Sequence, residues 1–155
     1  MPTSSPSIVL LDTNILLRLV VPNDPNHAST MAALRTMRRA GSVLYVCPQN
    51  MQEFRQTATR PADKNGYGWT SDAVRKAIER FELEFVMTAE TPAIYPAWRH
   101  VTEATGAIGR ANFDARIVAV AMSAGLNGVL TFEAGAFARY AAQAPGLVIL
   151  HPKDV

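Results

Sequence analysis

The sequence has one cysteine, Cys47, which excludes an internal disulfide and any cysteine-built zinc site. Only Lys64, Lys76 and Lys153 among its fifteen basic residues are lysines. The rest are arginines, which suit bidentate contacts to phosphate, although an arginine-rich genome leaves the same imprint. No apolar run approaches the length of a membrane span: the stretch after "IVLL" is cut by Asp12, Asn14 and Arg18. "MPTSSPS" lacks a charged leader region, and "IVLL" is too short for a signal-peptide core. No P-loop and no G-x-G-x-x-G pattern occurs. His27, His100 and His151 lie far apart without a nucleophile motif, so a serine or cysteine hydrolase lacks its positioned base. These absences predict a cytoplasmic protein with no membrane partner.

What is present is a foldable composition: 155 residues, 48% hydrophobic and 18% charged, with a net charge of +2. That predicts a single domain over 1–155 with its core at about 8–152. The charge is too small to imply nucleic acid by itself. Short apolar runs at Ile8–Leu11, Val43–Val46, Glu84–Met87, Val129–Thr131 and Leu147–Leu150 read as strands. Helical periodicity lies between them. Asp12 caps Asn14–Val20; Ala28, Met31 and Leu34 mark an inward face; Pro48 opens a helix with Met51, Phe54 and Ala58 buried. Ser71 or Asp72 caps a helix whose Val74, Ala77, Ile78 and Phe81 follow the amphipathic spacing. Ile94, Trp98 and Val101 mark another helix, and Asn112–Ala124 and Ala134–Ala142 complete the set. Alternating strands and helices predict an α/β domain, and continuously apolar strands predict a mostly parallel sheet covered on both faces.

In such a sheet, ligands bind beyond the carboxyl ends of the strands. Asp12 closes the first strand, Glu53 lies one turn into the helix after the second, Asp114 opens the apolar helix "NFDARIVAVAMSAG", and Glu133 follows "VLT". Each has an ordinary explanation: a helix cap, a first-turn acid favoured by the helix dipole, or a solvated surface charge. Together they map to one sheet edge, where carboxylates repel one another and raise each other's proton affinity unless a cation intervenes. Oxygen donors with open positions suit Mg²⁺ or Mn²⁺ and phosphate-ester chemistry. A phosphomonoesterase with a D-x-D nucleophile is disfavoured because Asn14 stands two residues after Asp12.

"LLDTNILL", "QNMQEFRQTATRP", "FDARIVAVAMSAGLNGVLTF" and "LVILHP", in this order over about Ile8 to Pro152, resemble the PIN-domain family, and within it the VapC-like toxins of bacterial toxin–antitoxin pairs. The resemblance implies a three-layer α/β/α fold with about five strands and a Mg²⁺- or Mn²⁺-dependent ribonuclease. It places the metal-site acids on Asp12, Glu53 and Asp114. The fourth falls on Glu133, where relatives often carry Asp, and Ala136 before Phe137 replaces a residue that is often acidic. Asn14 and Thr131 match polar positions lining the site. The resemblance also implies an RNA substrate, an antitoxin partner and a homodimer. The altered fourth position leaves open a PIN-like module that binds RNA or protein without cutting.

Basic and aromatic residues are the further candidates for RNA. Arg60, Lys64 and Tyr67 share the turn-rich loop "RPADKNGYGW" with Trp69, while Arg55, Arg110 and Arg116 fall near the predicted acidic edge. The ordinary alternatives are a connector with Trp69 packed inward and solvated surface arginines. Cys47 closes an apolar strand and reads as core. The apolar faces of the helices before Ala40 and after Ser71 exceed the needs of one core.

Overall fold

Short aliphatic runs pair side by side in parallel, and the connections that parallel pairing requires are helical. A computed structural model of the chain describes residues 5–155. Among these, β1 (Ile8–Leu11), β2 (Val43–Val46), β3 (Val86–Met87), β4 (Gly128–Leu130) and β5 (Val148–Leu150) form one sheet in the order β3-β2-β1-β4-β5. Every pairing is parallel; Val9 lies opposite Leu44 on one side and Gly128 on the other. The helices are α1 (Thr13–Val20), α2 (His27–Arg39), α3 (Pro48–Thr59), α4 (Ser71–Glu84), α5 (Ile94–Thr105), α6 (Ala111–Ser123) and α7 (Ala134–Ala141). None is long and apolar enough to cross a membrane.

The period-two alternation of β1 divides the core in two. Val9 and Leu11 face a cluster with Leu44, Val46, Leu130 and side chains of α1 to α4, including Leu16, Leu34, Phe54 and Phe81. Leu10 faces Val129 and the apolar sides of α5, α6 and α7, including Val101, Ile117, Val118 and Phe137. The result is the three-layer α/β/α arrangement expected, with β1 at its centre. Gly128 is required where β4 passes the chain entering β1: an added Cβ would lie 2.7 Å from Pro6 Cβ. The amide of Asn127 fixes that entry, its Oδ1 accepting the Ser7 and Ile8 N–H groups at 3.1 and 3.0 Å.

Four local expectations are corrected. The inward face of α2 is Thr30, Ala33, Leu34 and Met37, with Ala28 exposed. Thr30 can be buried because its hydroxyl donates to Asn26 O at 2.8 Å, a satisfaction no hydropathy pattern registers. Thr70, not Ser71 or Asp72, caps α4, its Oγ1 accepting the Ala73 N–H at 3.2 Å. Asp72 is instead a surface partner of Arg75 and Lys76, at 2.7 and 3.1 Å. β3 is only Val86–Met87, because α4 continues through Glu84. β4 ends at Leu130, one residue early, and that frees Thr131 for the site below.

The loop after α3 is docked onto that helix. The Tyr67 and Trp69 N–H groups donate to Thr57 and Ala58 carbonyls at 3.2 and 2.8 Å, and Trp69 packs edge-on to Phe54 at 6.3 Å. Trp69 therefore packs inward. Gly66 sits so close to the helix end that an added Cβ would lie 1.9 Å from Arg60 O. Backbone cannot yield as a side chain can, so Gly66→Ala is expected to undock the loop. Hydrogen exchange should show lost protection at Tyr67 and Trp69, with β1 unchanged; unaltered protection at both amides would contradict this packing.

Candidate metal centre

The strand order turns at β1 and β4, so the carboxyl ends of these neighbours flank the crevice where an open α/β sheet binds ligands. Asp12 follows β1, and its N–H extends the pairing by donating to Leu130 O at 2.9 Å. One carboxylate oxygen, Oδ1, accepts the Thr13 N–H at 2.8 Å and caps α1; the other accepts the Thr131 hydroxyl at 2.7 Å. The cap and the sheet-edge carboxylate are thus one residue. Asp12 is 6% exposed. Burial, with smaller repulsion from Asp114 and Glu53, pushes its carboxyl up to about 7 against the lowering bonds from Thr131 and Thr13.

Thr131 and Asn14 are brought together as expected. Asn14 Nδ2 donates to Thr131 Oγ1 at 3.3 Å, and Asn14 Oδ1 accepts the Phe132 N–H at 3.3 Å, tying α1 to the end of β4. Asp114, in the first turn of α6, is half-buried, and among the described residues its carboxylate has no hydrogen-bond partner. Burial raises it to about 6; the Arg110 charge opposes this, while Glu53 and Glu133 add to it. Glu53 is raised too, mainly by burial, against the hydrogen bond from Gln49 and the charge of Arg110. Asp12, Glu53 and Asp114 therefore sense one another across the crevice. Glu133 is exposed and makes no side-chain cap at the start of α7; its N–H donates to Thr131 Oγ1 at 2.9 Å, and its carboxylate repels Asp114.

Two buried amides escaped the sequence reading. Gln49 Nε2 donates both to Glu53 Oε1 at 2.5 Å and to Phe113 O at 2.9 Å, joining α3 to α6. Arg116 Nη1 donates to Gln49 Oε1 at 3.2 Å, and Arg116 Nη2 pairs with Glu90 Oε2 at 2.7 Å. Asn50 Oδ1 accepts the Cys47 N–H at 2.8 Å, and Asn50 Nδ2 donates to Thr13 Oγ1 at 3.1 Å, tying α3 to α1. The available signal was helical spacing: Gln49 and Asn50 stand one turn before Glu53 and Phe54 and share their faces. Cys47 is fully buried, and burial pushes its thiol up to about 12, so it is an inert core residue.

The basic candidates separate. Arg110 is exposed at the start of α6, close enough to lower both Glu53 and Asp114. Arg116 is engaged with Glu90 and Gln49, and Arg55 donates to Ser71 Oγ at 2.8 Å. Arg60, Lys64 and Tyr67 lie beyond the far end of α3, with Arg60 roughly 10 Å along the helix from Glu53. Arg60 donates to Thr57 Oγ1 at 3.2 Å, and the Tyr67 ring lies 5.8 Å from Trp69.

The donor chemistry fits a hard divalent cation. Three carboxylates are held at raised proton affinity by burial, and a cation would relieve their mutual repulsion. Among the described residues, no three His, Cys, Asp or Glu side chains already close on one ion, and Glu53 is turned to Gln49.

Comparison with curated proteins by sequence finds no match. Solved structures share the fold. One is VapBC2 from Rickettsia felis bound to a promoter DNA fragment, at 13% identity and TM-score 0.65, covering 93% of this chain and 98% of that one. VapBC-1 from nontypeable Haemophilus influenzae is similar at 18% identity and TM-score 0.66, covering 94% and 98%. FitAcB from Neisseria gonorrhoeae is similar at 21% identity and TM-score 0.60, covering 95% and 99%. The model of the PIN domain family matches residues 9–143, from the strand that delivers Asp12 through the helix after Glu133. By that match, which spans most of its length, the chain belongs to the PIN domain family.

Proposed function

We propose that the protein is a metal-dependent endoribonuclease and the toxin of a toxin–antitoxin pair. The observation that supports the reading is that Asp12, at the sheet's switch point, is buried within range of repulsion from both Asp114 and Glu53. Asp12, Asp114 and Glu53 would hold Mg²⁺ or Mn²⁺, and Glu133 stands outside as an auxiliary acid. The bound ion supplies charge neutralisation at the phosphate and a water acidic enough to attack it. Thr131 and the Thr13 N–H aim the Asp12 carboxylate, Gln49 restrains Glu53, and Arg110 meets the incoming RNA phosphate. Arg60, Lys64 and Tyr67 serve the outer path of the strand, at the far end of α3, and Arg116 braces the site through Gln49.

Two observations support a protein partner. The fold is shared with VapBC2, VapBC-1 and FitAcB, the first bound to a promoter DNA fragment, and the resemblance to VapC-like toxins implies an antitoxin partner. An open groove of about 430 Å³ runs between α1, α2 and α4, with Leu19, Met31 and Phe81 in it and Arg35, Arg39 and Arg80 at its rim. This groove matches the apolar excess expected of α2 and α4.

The test is cleavage of single-stranded RNA by purified protein. We expect cutting with Mn²⁺ or Mg²⁺ and loss of at least 100-fold in excess EDTA, restored on adding the metal back. Undiminished cutting in EDTA would overturn the reading. RNA binding without cutting would favour the non-cleaving module, for which the incompletely closed acids and exposed Glu133 speak.

A further inference from the structure

Phe113, immediately before Asp114, leaves a large aromatic ring 56% exposed at the edge of the acid cluster. Beside it, α3 and α6 enclose an open pocket of about 420 Å³ lined by Gln49, Gln52, Glu53, Gln56, Phe113 and Arg116. Glu53 belongs to both the pocket and the acid cluster, so any group in the pocket lies next to the reacting centre. The Gln49 amide holds Glu53 and the Phe113 carbonyl together, so pocket and acids share one strut. Among the described residues, the Gln52 and Gln56 side chains, both exposed, make no hydrogen bond.

The chemistry of the walls selects the occupant. Arg116, the one basic residue in the walls, has its guanidinium paired with Glu90, so the pocket offers a phosphate no free cation. An apolar protein side chain would bury the Gln52 and Gln56 amides without partners. A neutral, flat group with donors and acceptors along its edge satisfies both the ring and the amides, and an unpaired nucleobase is such a group.

Resting on the ribonuclease reading, we propose that this pocket binds one unpaired base of the RNA, beside the phosphate that is cut. The base stacks on Phe113, and the Gln52 and Gln56 amides read its edge. These three residues then set which sequence is cut, while Asp12 and Asp114 serve the chemistry.

The experiment treats a pool of short single-stranded RNAs of random sequence with the full chain and Mn²⁺, and sequences the cut ends. Wild type should show a preference for one base at one fixed position beside the cut. The Q52A/Q56A double variant should flatten that preference at the same cutting position. F113A should raise KM by roughly 5- to 150-fold, the span expected for one lost base–aromatic stack, with F113Y or F113W restoring it. Separately, in EDTA, an RNA carrying 2-aminopurine should lose fluorescence on binding wild type and retain it with F113A.

Cutting with an unchanged base profile in these variants overturns the inference and leaves the ribonuclease reading standing. The same unchanged profile with loss of self-association in F113A assigns the face to protein contact and equally overturns it. Absence of any metal-dependent cutting, with Phe113-dependent quenching kept, overturns the ribonuclease reading and supports the base pocket.

Discussion

Asp12→Asn is expected to abolish RNA cleavage and at the same time to stabilise the metal-free protein above pH 7. Asp12 has a carboxyl pKa of about 7 in the fold against an ordinary 3.8. Between these values the native state holds a proton that the unfolded chain has released, so stability falls as pH rises from about 4 to about 7. Above pH 7 the whole penalty is present. The shift bounds it at roughly 4 kcal/mol, since one unit corresponds to about 1.4 kcal/mol. Asparagine keeps the cap on α1, because its Oδ1 still accepts the Thr13 N–H. It weakens the bond with Thr131, whose hydroxyl loses its carboxylate acceptor. The net gain should be about 1–3 kcal/mol, or several degrees in melting temperature. Added Mn²⁺ should invert the order, stabilising wild type by mass action and leaving the variant unmoved. Melting curves at pH 5 and pH 8, with EDTA or Mn²⁺, measure all of this. A variant that cuts RNA normally, or that melts with the wild-type pH dependence, would falsify the assignment of Asp12.

Phe54→Ala is expected to be the most damaging core substitution, at about 3–5 kcal/mol, enough to leave a domain of this size marginal. Phe54 is fully buried, stands edge-on to Phe81 at 5.0 Å and to Trp69 at 6.3 Å, and follows Glu53 directly. Its loss opens a cavity between α3, α4 and the docked loop at once, where partial collapse cannot restore three sets of contacts. Phe54→Leu keeps most of the volume and should cost about 1–1.5 kcal/mol. Urea unfolding of both variants gives the comparison; an alanine variant within 1.5 kcal/mol of wild type would show that the aromatic cluster is not the keystone of that layer. Because Glu53 is carried on the same turn, the alanine variant should also bind Mn²⁺ less tightly even where it remains folded.

Strands were the most legible feature of the sequence. Ile8–Leu11 and Val43–Val46 stand where their apolar runs placed them. Blurring occurred where a side chain rather than hydropathy sets the boundary. Thr70 caps α4 through a hydroxyl bond, and Asn26 accepts the hydroxyl of buried Thr30. Gln49 and Asn50 were missed for a related reason: amides near a helix start read as polar surface, yet both are buried and fully engaged.

The sequence by itself determined the α/β alternation, the order of the strands along the chain, the family resemblance and the four acids worth testing. Local periodicity and residue chemistry carry that information, because each depends on neighbours a few positions apart. Only the tertiary structure decided which acids meet. The order β3-β2-β1-β4-β5 sets Asp12 beside Thr131, and packing of α3 against α6 through Gln49 brings Glu53 and Asp114 to the same crevice. It left Glu133 at the margin and moved Arg60, Lys64 and Tyr67 to the far end of α3. It also raised the proton affinity of the three acids, since burial and mutual repulsion are properties of side chains gathered from distant parts of the chain.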